Sequence, residues 1–348
     1  MKVRLKHISE VLANYKVLGS VKKAVYIIEY YEEGSEPRAK VIVRAEMDNE
    51  EIYILKFVLE KEHSQALIEE QSIFSEQMRK NGINTPRRLK CKQRHCSLFE
   101  IGNAVYAVTV EEYLGEELKY INYDLIDQIA SLMARMHSIS ELNNYHISGN
   151  TIWDLFHSSA DISRGYKAFC EYFSSGRYYF SAQNMWLQKK IVDLYQQRLA
   201  RLRKSWPELP RYAVQGDYSI NNLTARKGKI TGIFDYNLAG DEVLVSDMLI
   251  EGLFLSYEMD LDSGLAAKDK DQLFKGFIRK YAEVRNLSLK EKSVLNDIYA
   301  VVFPFWWTRI IYDQKESLQS CLKAKNRQKV DQFLEETYLL LNRDNFPL

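Results

Sequence analysis

Over the first third of the chain, hydrophobic and polar positions alternate with a period near two. "KAVYIIEYY" and "KVIVRAEM" are rich in β-branched and aromatic residues, flank the turn-like "EEGSEPR", and lead into "EEIYILKFVLE". This predicts strands across residues 21–58. The period then changes. In "SQALIEEQSIFSEQMRKNG", Leu67, Ile73, Phe74 and Met78 are spaced for one face of a helix that Gly82 ends. Beyond Pro86, "RRLKCK", "SLFEI" and "AVYAVTVEEYL" read as strands, the last two joined by the Gly102-Asn103 turn. "EEYLGEEL" breaks this texture at Gly115. From residue 123 helical patterns dominate, in "YDLIDQIASLMARMHSIS", "MWLQKKIVDLYQQRLARLRKSW", "DQLFKGFIRKYAEV" and "KVDQFLEETYLLL". One β-like island interrupts them, "QGDYSINNLTARKGKITGIFDYN" at 215–237. The expectation is an α+β chain: a small β-rich lobe at 1–111, a hinge at 112–118 and a larger, mainly helical lobe at 119–348. Clefts form between such lobes.

Composition narrows the function without naming it. The chain has 348 residues, 27% of them charged, and a net charge of +1. That balance suits a soluble enzyme and gives no support to a nucleic-acid partner. Four cysteines make no disulfide scaffold. Cys91 and Cys96 flank "KQRH", but two thiols and His95 fall short of the usual four zinc ligands. The N-terminus lacks the apolar core of a signal peptide. The longest greasy run, "AVVFPFWW", is far below the ~20 residues of a membrane span. Cytoplasm is the expected location, with no membrane and no obligate protein partner.

The island at 215–237 carries the chemistry. "NNLTA" and "KITGIF" can pair as a hairpin around Lys227-Gly228-Lys229. Folding there returns Asp235 to the same end as Asn222, and facing strand positions lie ~5 Å apart. An amide oxygen and a carboxylate at that spacing can share a hard cation such as Mg²⁺. Asp217, on the loop entering the hairpin, can then face a substrate hydroxyl, as in the phosphoryl-transfer arrangement of kinases. Asp and Asn are also common turn residues, so plain turn chemistry is the competing explanation. Three upstream features weigh against it. Lys56 stands mid-strand among apolar neighbours, where lysine is seldom buried without a partner. Glu70, on the next helix, can reach back to it. "VEEYLGEEL" can offer backbone groups to an adenine ring.

The ordered set "YILKF", "IEEQSIFSEQMRKNGINTP", "VEEYLGEEL", "IASLMARMHSIS", "QGDYSINNL" and "TGIFDYNLAGDEVLVSDM" resembles the aminoglycoside phosphotransferase and choline kinase-like family, small-molecule kinases with a bilobal, protein-kinase-like fold. The similarity runs from about residue 15 to 310, with 145–205 poorly covered. The resemblance implies ATP and Mg²⁺ as cofactors and Asp217 as catalytic base. It implies Asn222 and Asp235 as metal ligands, Lys56 on the phosphates braced by Glu70, and the backbones of Glu112 and Leu114 against adenine. Asp247 matches a structural Asp. Gly19 and Ser20 are the candidates for the phosphate-covering turn. Gln215 stands where the family usually has His, and an amide cannot carry a proton. No activation segment follows Asp235, which disfavours a protein substrate.

Between Asp241 and Asp262 lie seven acidic residues and no Lys or Arg. A negative wall built from Asp241, Glu242 and Glu251 would favour a cationic acceptor, an aminoglycoside or an amino alcohol; a solvated helix face is the alternative. The aromatics of "FPFWWTRIIY" can face a quaternary amine or form core. His137 falls at helical spacing beneath Leu132 and Met133, as a core histidine would. GxGxxG, GxxxxGK and GxSxG motifs are all absent from the sequence. The leading expectation is an ATP- and Mg²⁺-dependent kinase of a small hydroxyl-bearing molecule. The rival is a catalytically silent pseudokinase serving as a binding or structural protein, favoured by Gln215 and opposed by Lys56, Asp217, Asn222 and Asp235.

Overall fold

A computed structural model describes residues 2–32, 34, 37–60, 64–156, 161–311 and 316–346. Glu33, Ser35 and Glu36 of the "EEGSEPR" turn and Tyr312 of the aromatic run lie outside the described residues. The first elements are α1 (Leu5–Asn14), β1 (Val21–Glu32), β2 (Arg38–Met47), β3 (Ile52–Leu59), α2 (Gln65–Lys80), β4 (Ser97–Ile101) and β5 (Ala104–Glu112). Next come α3 (Tyr123–Asn143), α4 (Arg164–Ser174), α5 (Ala182–Ser205), β6 (Arg211–Val214), β7 (Leu223–Arg226), β8 (Lys229–Ile233) and β9 (Gly240–Val243). Helices close the chain: α6 (Leu244–Tyr257), α7 (Lys270–Val284), α8 (Leu289–Val302), α9 (Trp307–Ile310), α10 (Leu318–Lys323) and α11 (Arg327–Asn342). Contacts divide the protein into two units. The first holds Met1–Lys119, Tyr145–Gly149 and Asp217–Gly240; the second holds Tyr120–Asn144, Asn150–Gly216 and Asp241–Leu348. Chain position alone puts the 217–240 segment in the C-terminal lobe, whereas its contacts group it with the β-rich unit.

The first unit is an antiparallel sheet in the order β1-β2-β3-β5-β4. Successive strand residues point to opposite faces. Val41, Val43, Ala45, Leu55, Phe57, Val108 and Val110 are buried on one face, in a cluster with Ile8, Val11 and Leu12 of α1. The sequence pattern assigned α1 no element. A helix of ten residues is marginal alone. Each buried Ile or Leu contributes roughly 1.5–3 kcal/mol, so packing on the sheet holds α1 in place. The opposite face of the sheet carries Ile42, Arg44, Ile54, Lys56, Thr109 and Glu111, and this parity builds the site described below.

Two predicted features differ. "RRLKCK" is no strand; only isolated bridges form, Arg88 with Glu111 and Cys91 with Arg94. Pro86 lacks a donor, and Lys92 and Gln93 adopt positive φ, so the segment turns back on itself. On α2, Phe74 and Met78 are buried as expected, but Ile73 is 44% exposed. The buried face runs through Ile68, Gln71, Ser72, Ser75 and Met78.

The second unit is mainly helical, with one two-stranded ribbon, β6 with β9, that the pattern did not foresee. Asn122 and Ser181 cap α3 and α5 through their side-chain oxygens. Helix α6 is buried on nearly every side, as an all-round apolar helix must be. Among the described residues no helix is long and apolar enough to cross a membrane.

Candidate active site

Lys56 lies opposite Ile42 of β2 and Thr109 of β5, on the face away from Leu55 and Phe57. Its side chain is 5% exposed. A buried ammonium needs compensating charge. Two carboxylate oxygens, Glu111 Oε1 and Asp235 Oδ1, each stand 3.1 Å from Nζ. Glu111 comes two residues after Thr109, so it is diagonal to Lys56 on the same face and within reach of a long side chain. Its Oε2 lies 3.1 Å from Arg88 Nε, and an Arg88 terminal nitrogen donates to Ser72 Oγ at 2.7 Å. Two cations and two anions thus alternate along Arg88–Glu111–Lys56–Asp235 and cancel. Burial opposes the charge on Lys56, but Asp235 and Glu111 outweigh it and raise its pKa. Burial likewise opposes ionisation of Asp235, yet Lys56 and then Lys40 hold its pKa below the usual carboxylate value. The pair stays ionised.

The expected Lys56–Glu70 pair does not form. Glu70 Oε2 accepts from Ser148 N at 2.7 Å, while Glu69 accepts from His95 N and Cys96 N at 3.1 and 2.8 Å. The rotation of α2 explains this. Its inward position belongs to Gln71, whose Nε2 donates to the carbonyls of Asn237 and Ala239 at 2.9 and 3.0 Å. Glu111 and Arg88 are the site residues that the sequence pattern missed. Glu111 shares the face of Thr109 on β5, and the pairing of β3 with β5 puts that face beside Lys56.

The hairpin of β7 and β8 pairs Leu223 with Ile233 and Arg226 with Lys229. Lys227 and Gly228 turn it with φ of 52° and 72°, the left-handed pair that a two-residue hairpin needs. Phe234 N donates to Asn222 O at 2.9 Å, so Asp235 stands one residue beyond Asn222 at the open end. Asp235 has φ 58°, a conformation costing an Asp roughly 1 kcal/mol. Fully buried Tyr236, edge-on to Phe74 at 5.8 Å, anchors the next residue. Asn222 Nδ2 donates to Asp217 O at 3.1 Å, and Ser219 N donates to Asp217 Oδ1 at 3.1 Å. Burial raises the pKa of Asp217; the Ser219 bonds oppose that rise and the charge of Asp235 reinforces it. Gln215, two residues upstream, is fully buried.

Lys56, Glu111, Leu114, Asn222 and Asp235 share the wall of a cavity of about 470 Å³ with Ile28 and Ile54. Glu112 N donates to Arg87 O at 3.0 Å, and the Glu112 carboxylate pairs with Arg87. Among the described residues the Leu114 N–H meets no acceptor. A Cβ at Gly232 would come within 2.6 Å of Leu114 Cδ2 and 2.8 Å of Asn84 O, so glycine lets β8 close on the hinge segment. Ser20 does not belong here. Its N–H and hydroxyl bond Asp48 at 3.1 and 2.8 Å, at the strand end where Val21 pairs with Met47. Lys56 pairs five positions along β2, about 17 Å away at the rise of a strand.

The wall expected from Asp241, Glu242 and Glu251 does not form, although Asp260 of the same run is exposed and Asp262 partly so. Glu242, Asp247 and Glu251 are fully buried. Thr151 Oγ1 and Val243 N donate to Glu242 at 2.9 and 2.7 Å. Burial, then the charge of Asp154, pushes its pKa up to about 8. Trp153 Nε1 donates to Glu251 Oε1 at 3.0 Å and to the carbonyl of Gly216, the residue before Asp217, at 2.9 Å. Asp241 is partly buried, and its carbonyl accepts from Arg211 at 3.0 Å. Asp247 Oδ2 lies 3.1 Å from His137 Nε2, and Tyr281 OH meets His137 Nδ1 at 2.7 Å; the histidine is core. The apolar burial of α6 carries Asp247 and Glu251 inward. Glu258, past its end, stays partly exposed and accepts from Trp306 Nε1 and Thr308 Oγ1 at 2.8 and 2.6 Å. Trp307, partly exposed, stacks parallel to Trp153 with centroids 5.7 Å apart.

A profile of the phosphotransferase enzyme family matches residues 29–285, most of the chain. The chain belongs to that family. A homoserine kinase of Polaromonas naphthalenivorans (strain CJ2) is 30% identical over 118 residues, 33% of this chain and 35% of that relative. The chain thus matches about a third of the relative's length. Two solved structures share the fold. A microcompartment-associated aminopropanol kinase superposes with a TM-score of 0.61 at 16% identity, covering 97% of this chain and all of the other. Amicoumacin kinase hAmiN, in complex with AMP-PNP, Ca²⁺ and Ami, gives 0.58 at 13% identity, over 94% of this chain and 93% of the other. These likenesses place the α+β, kinase-like architecture of this phosphotransferase-family chain beside known kinases.

Two outcomes follow from the buried charges. Glu111→Gln strands Lys56 and Arg88 with one fewer anion, and urea unfolding should show a loss of about 3 kcal/mol. The double variant Lys56→Met/Glu111→Gln should recover part of it. Glu242 binds a proton in the folded state that an unfolded Glu releases near pH ~4.3. Its contribution is therefore full below that value and lost as pH rises toward about 8, at up to about 1.4 kcal/mol per pH unit. Melting curves should show Glu242→Gln gaining on the wild type across that window.

Proposed function

We propose that this chain is an ATP-dependent phosphotransferase that moves the γ-phosphate to a hydroxyl of a small molecule bearing an amino group. The observation that carries the reading is Lys56, buried and held ionised between Glu111 and Asp235, in a cavity shared with Asn222 and the unbonded Leu114 N–H. A phosphate oxygen gives Lys56 a new anionic partner in exchange for Asp235, while Glu111 keeps its grip. The Glu112 carbonyl and the Leu114 N–H present the acceptor and donor that an adenine edge requires.

The donor set suits Mg²⁺. Asn222 spends its amide NH₂ on the Asp217 carbonyl, which leaves its oxygen for a ligand. Asp235 contributes a carboxylate kept ionised. Few protein oxygens are what Mg²⁺ takes, with water and phosphate completing the shell. The bound ion would neutralise charge on the phosphate oxygens. Asp217 orients the acceptor hydroxyl and accepts its proton as the oxygen forms a bond to the γ-phosphorus and the bond to the ADP oxygen breaks. The proton then passes to solvent. Its raised pKa makes Asp217 a stronger base than a surface carboxylate. Gln215 supports the loop without titrating.

The buried Glu242 and Glu251 supply no wall for the acceptor's amino group, so that part of the reading rests on likeness to other kinases. The names of two relatives, homoserine kinase and aminopropanol kinase, fit the same class.

Coupled ADP release over amino alcohols, homoserine and aminoglycosides tests the reading. Asp217→Asn should lower kcat at least about 100-fold while keeping the melting shift given by ATP with Mg²⁺. Asp235→Asn should lose the Mg²⁺-dependent part of that shift. Neither ADP release nor stabilisation by Mg²⁺-ATP would instead support a catalytically silent binding protein.

A further inference from the structure

The second unit contains a larger cavity, about 600 Å³, between the segment joining α4 to α5 and the segment joining α10 to α11. Its lining is electropositive. Arg177, Lys323, Lys325 and Arg327 contribute four cations against the single carboxylate of Asp331, which is already engaged by Asn184 Nδ2. Among the described residues no carboxylate pairs with Arg177, Lys325 or Arg327. The N-termini of α5 and α11 both reach this lining, through Ser181 and Arg327, and neither helix has an acid in its first turn. Their partial positive charge adds to that of the side chains. Cations left unpaired repel one another, so the arrangement gains from an anion.

The walls also carry flat rings. Tyr178, Tyr179 and Phe180 line the cavity, Phe180 is backed by Phe173 at 4.0 Å, and the Arg327 guanidinium lies 5.5 Å from the Tyr179 ring. Tyr179 is 80% exposed, so its ring face is accessible to a ligand. The cavity is separate from the tryptophan cluster. A Cβ at Gly165, in the first turn of α4, would meet Phe305 O at 1.9 Å, so α4 begins against the segment holding Trp306. The cavity lies beyond its C-terminal end, eleven residues on, or about 16 Å along the helix.

We propose that this cavity is a second binding site, for a small phosphate-bearing compound with a flat ring. The phosphate is met by Arg177, Lys325 and Arg327, and the ring lies against Tyr178 and Tyr179. Nothing in this depends on the nucleotide reading of the first unit. Phenyl phosphate and inorganic phosphate are suitable probes, titrated calorimetrically at constant ionic strength. The double variant Arg177→Gln/Arg327→Gln changes two exposed side chains without a carboxylate partner and should keep the wild-type melting temperature. Phenyl phosphate should bind the wild type and Lys56→Met alike, more tightly than inorganic phosphate, and at least tenfold more weakly to the double variant. Absence of saturable binding would overturn the proposal. So would binding lost in Lys56→Met but kept in the double variant, which would put the anion in the other cavity.

Discussion

Burying one lysine ammonium in a sheet sets the terms for the rest of the site. Lys56 cannot occupy the middle of β3 unless anions meet it there, because an uncompensated buried charge costs several kcal/mol. One anion, Glu111, comes from the neighbouring strand by parity; the other, Asp235, comes from the end of a hairpin almost 180 residues away in sequence. Arg88 then balances Glu111. The left-handed backbone at Asp235, the glycine at 232 and the burial of Tyr236 all deliver one carboxylate to one ammonium. The same arrangement suits the proposed nucleotide. A phosphate can replace Asp235 as partner of Lys56 with little reorganisation, since the charge and its second support are already fixed.

What could be read from the sequence was what local arithmetic determines. The hairpin register of Asn222 and Asp235 follows from a two-residue turn and a short count. The strand parity of Lys56 follows from its immediate neighbours. Glu70 failed because the rotation of α2 is decided by what packs on it: polar Gln71, Ser72 and Ser75 take the buried face, and Ile73 is left outside. Glu111 was missed because its relation to Lys56 needs the pairing of β3 with β5, which no local pattern discloses. Ser20 bonds Asp48 and does not line the cavity of Lys56, a placement that a turn's composition does not disclose.

The acidic run from Asp241 to Asp262 shows the same limit in the helical unit. Counted as charge, it looks like a wall for a cation. Two of its acids, however, sit within "VLVSDMLIEGLFL", an apolar stretch long enough to bury a helix on every side. Asp247 and Glu251, four apart, are thereby carried into the core, where Asp247 meets His137 and Glu251 accepts from Trp153. Glu258, where the apolar run ends, is partly exposed, as are Asp241 and Asp262, and Asp260 is exposed. Burial, more than sign, decides which acids can meet a substrate.

A structure of the protein with a non-hydrolysable ATP analogue and Mg²⁺ tests the central claim most directly. The account predicts Lys56 Nζ on a phosphate oxygen with Glu111 still bound to it, and Asp235 and Asn222 together on the ion. A nucleotide bound elsewhere, or an ion held by other residues while Lys56 keeps its grip on Asp235, would contradict it.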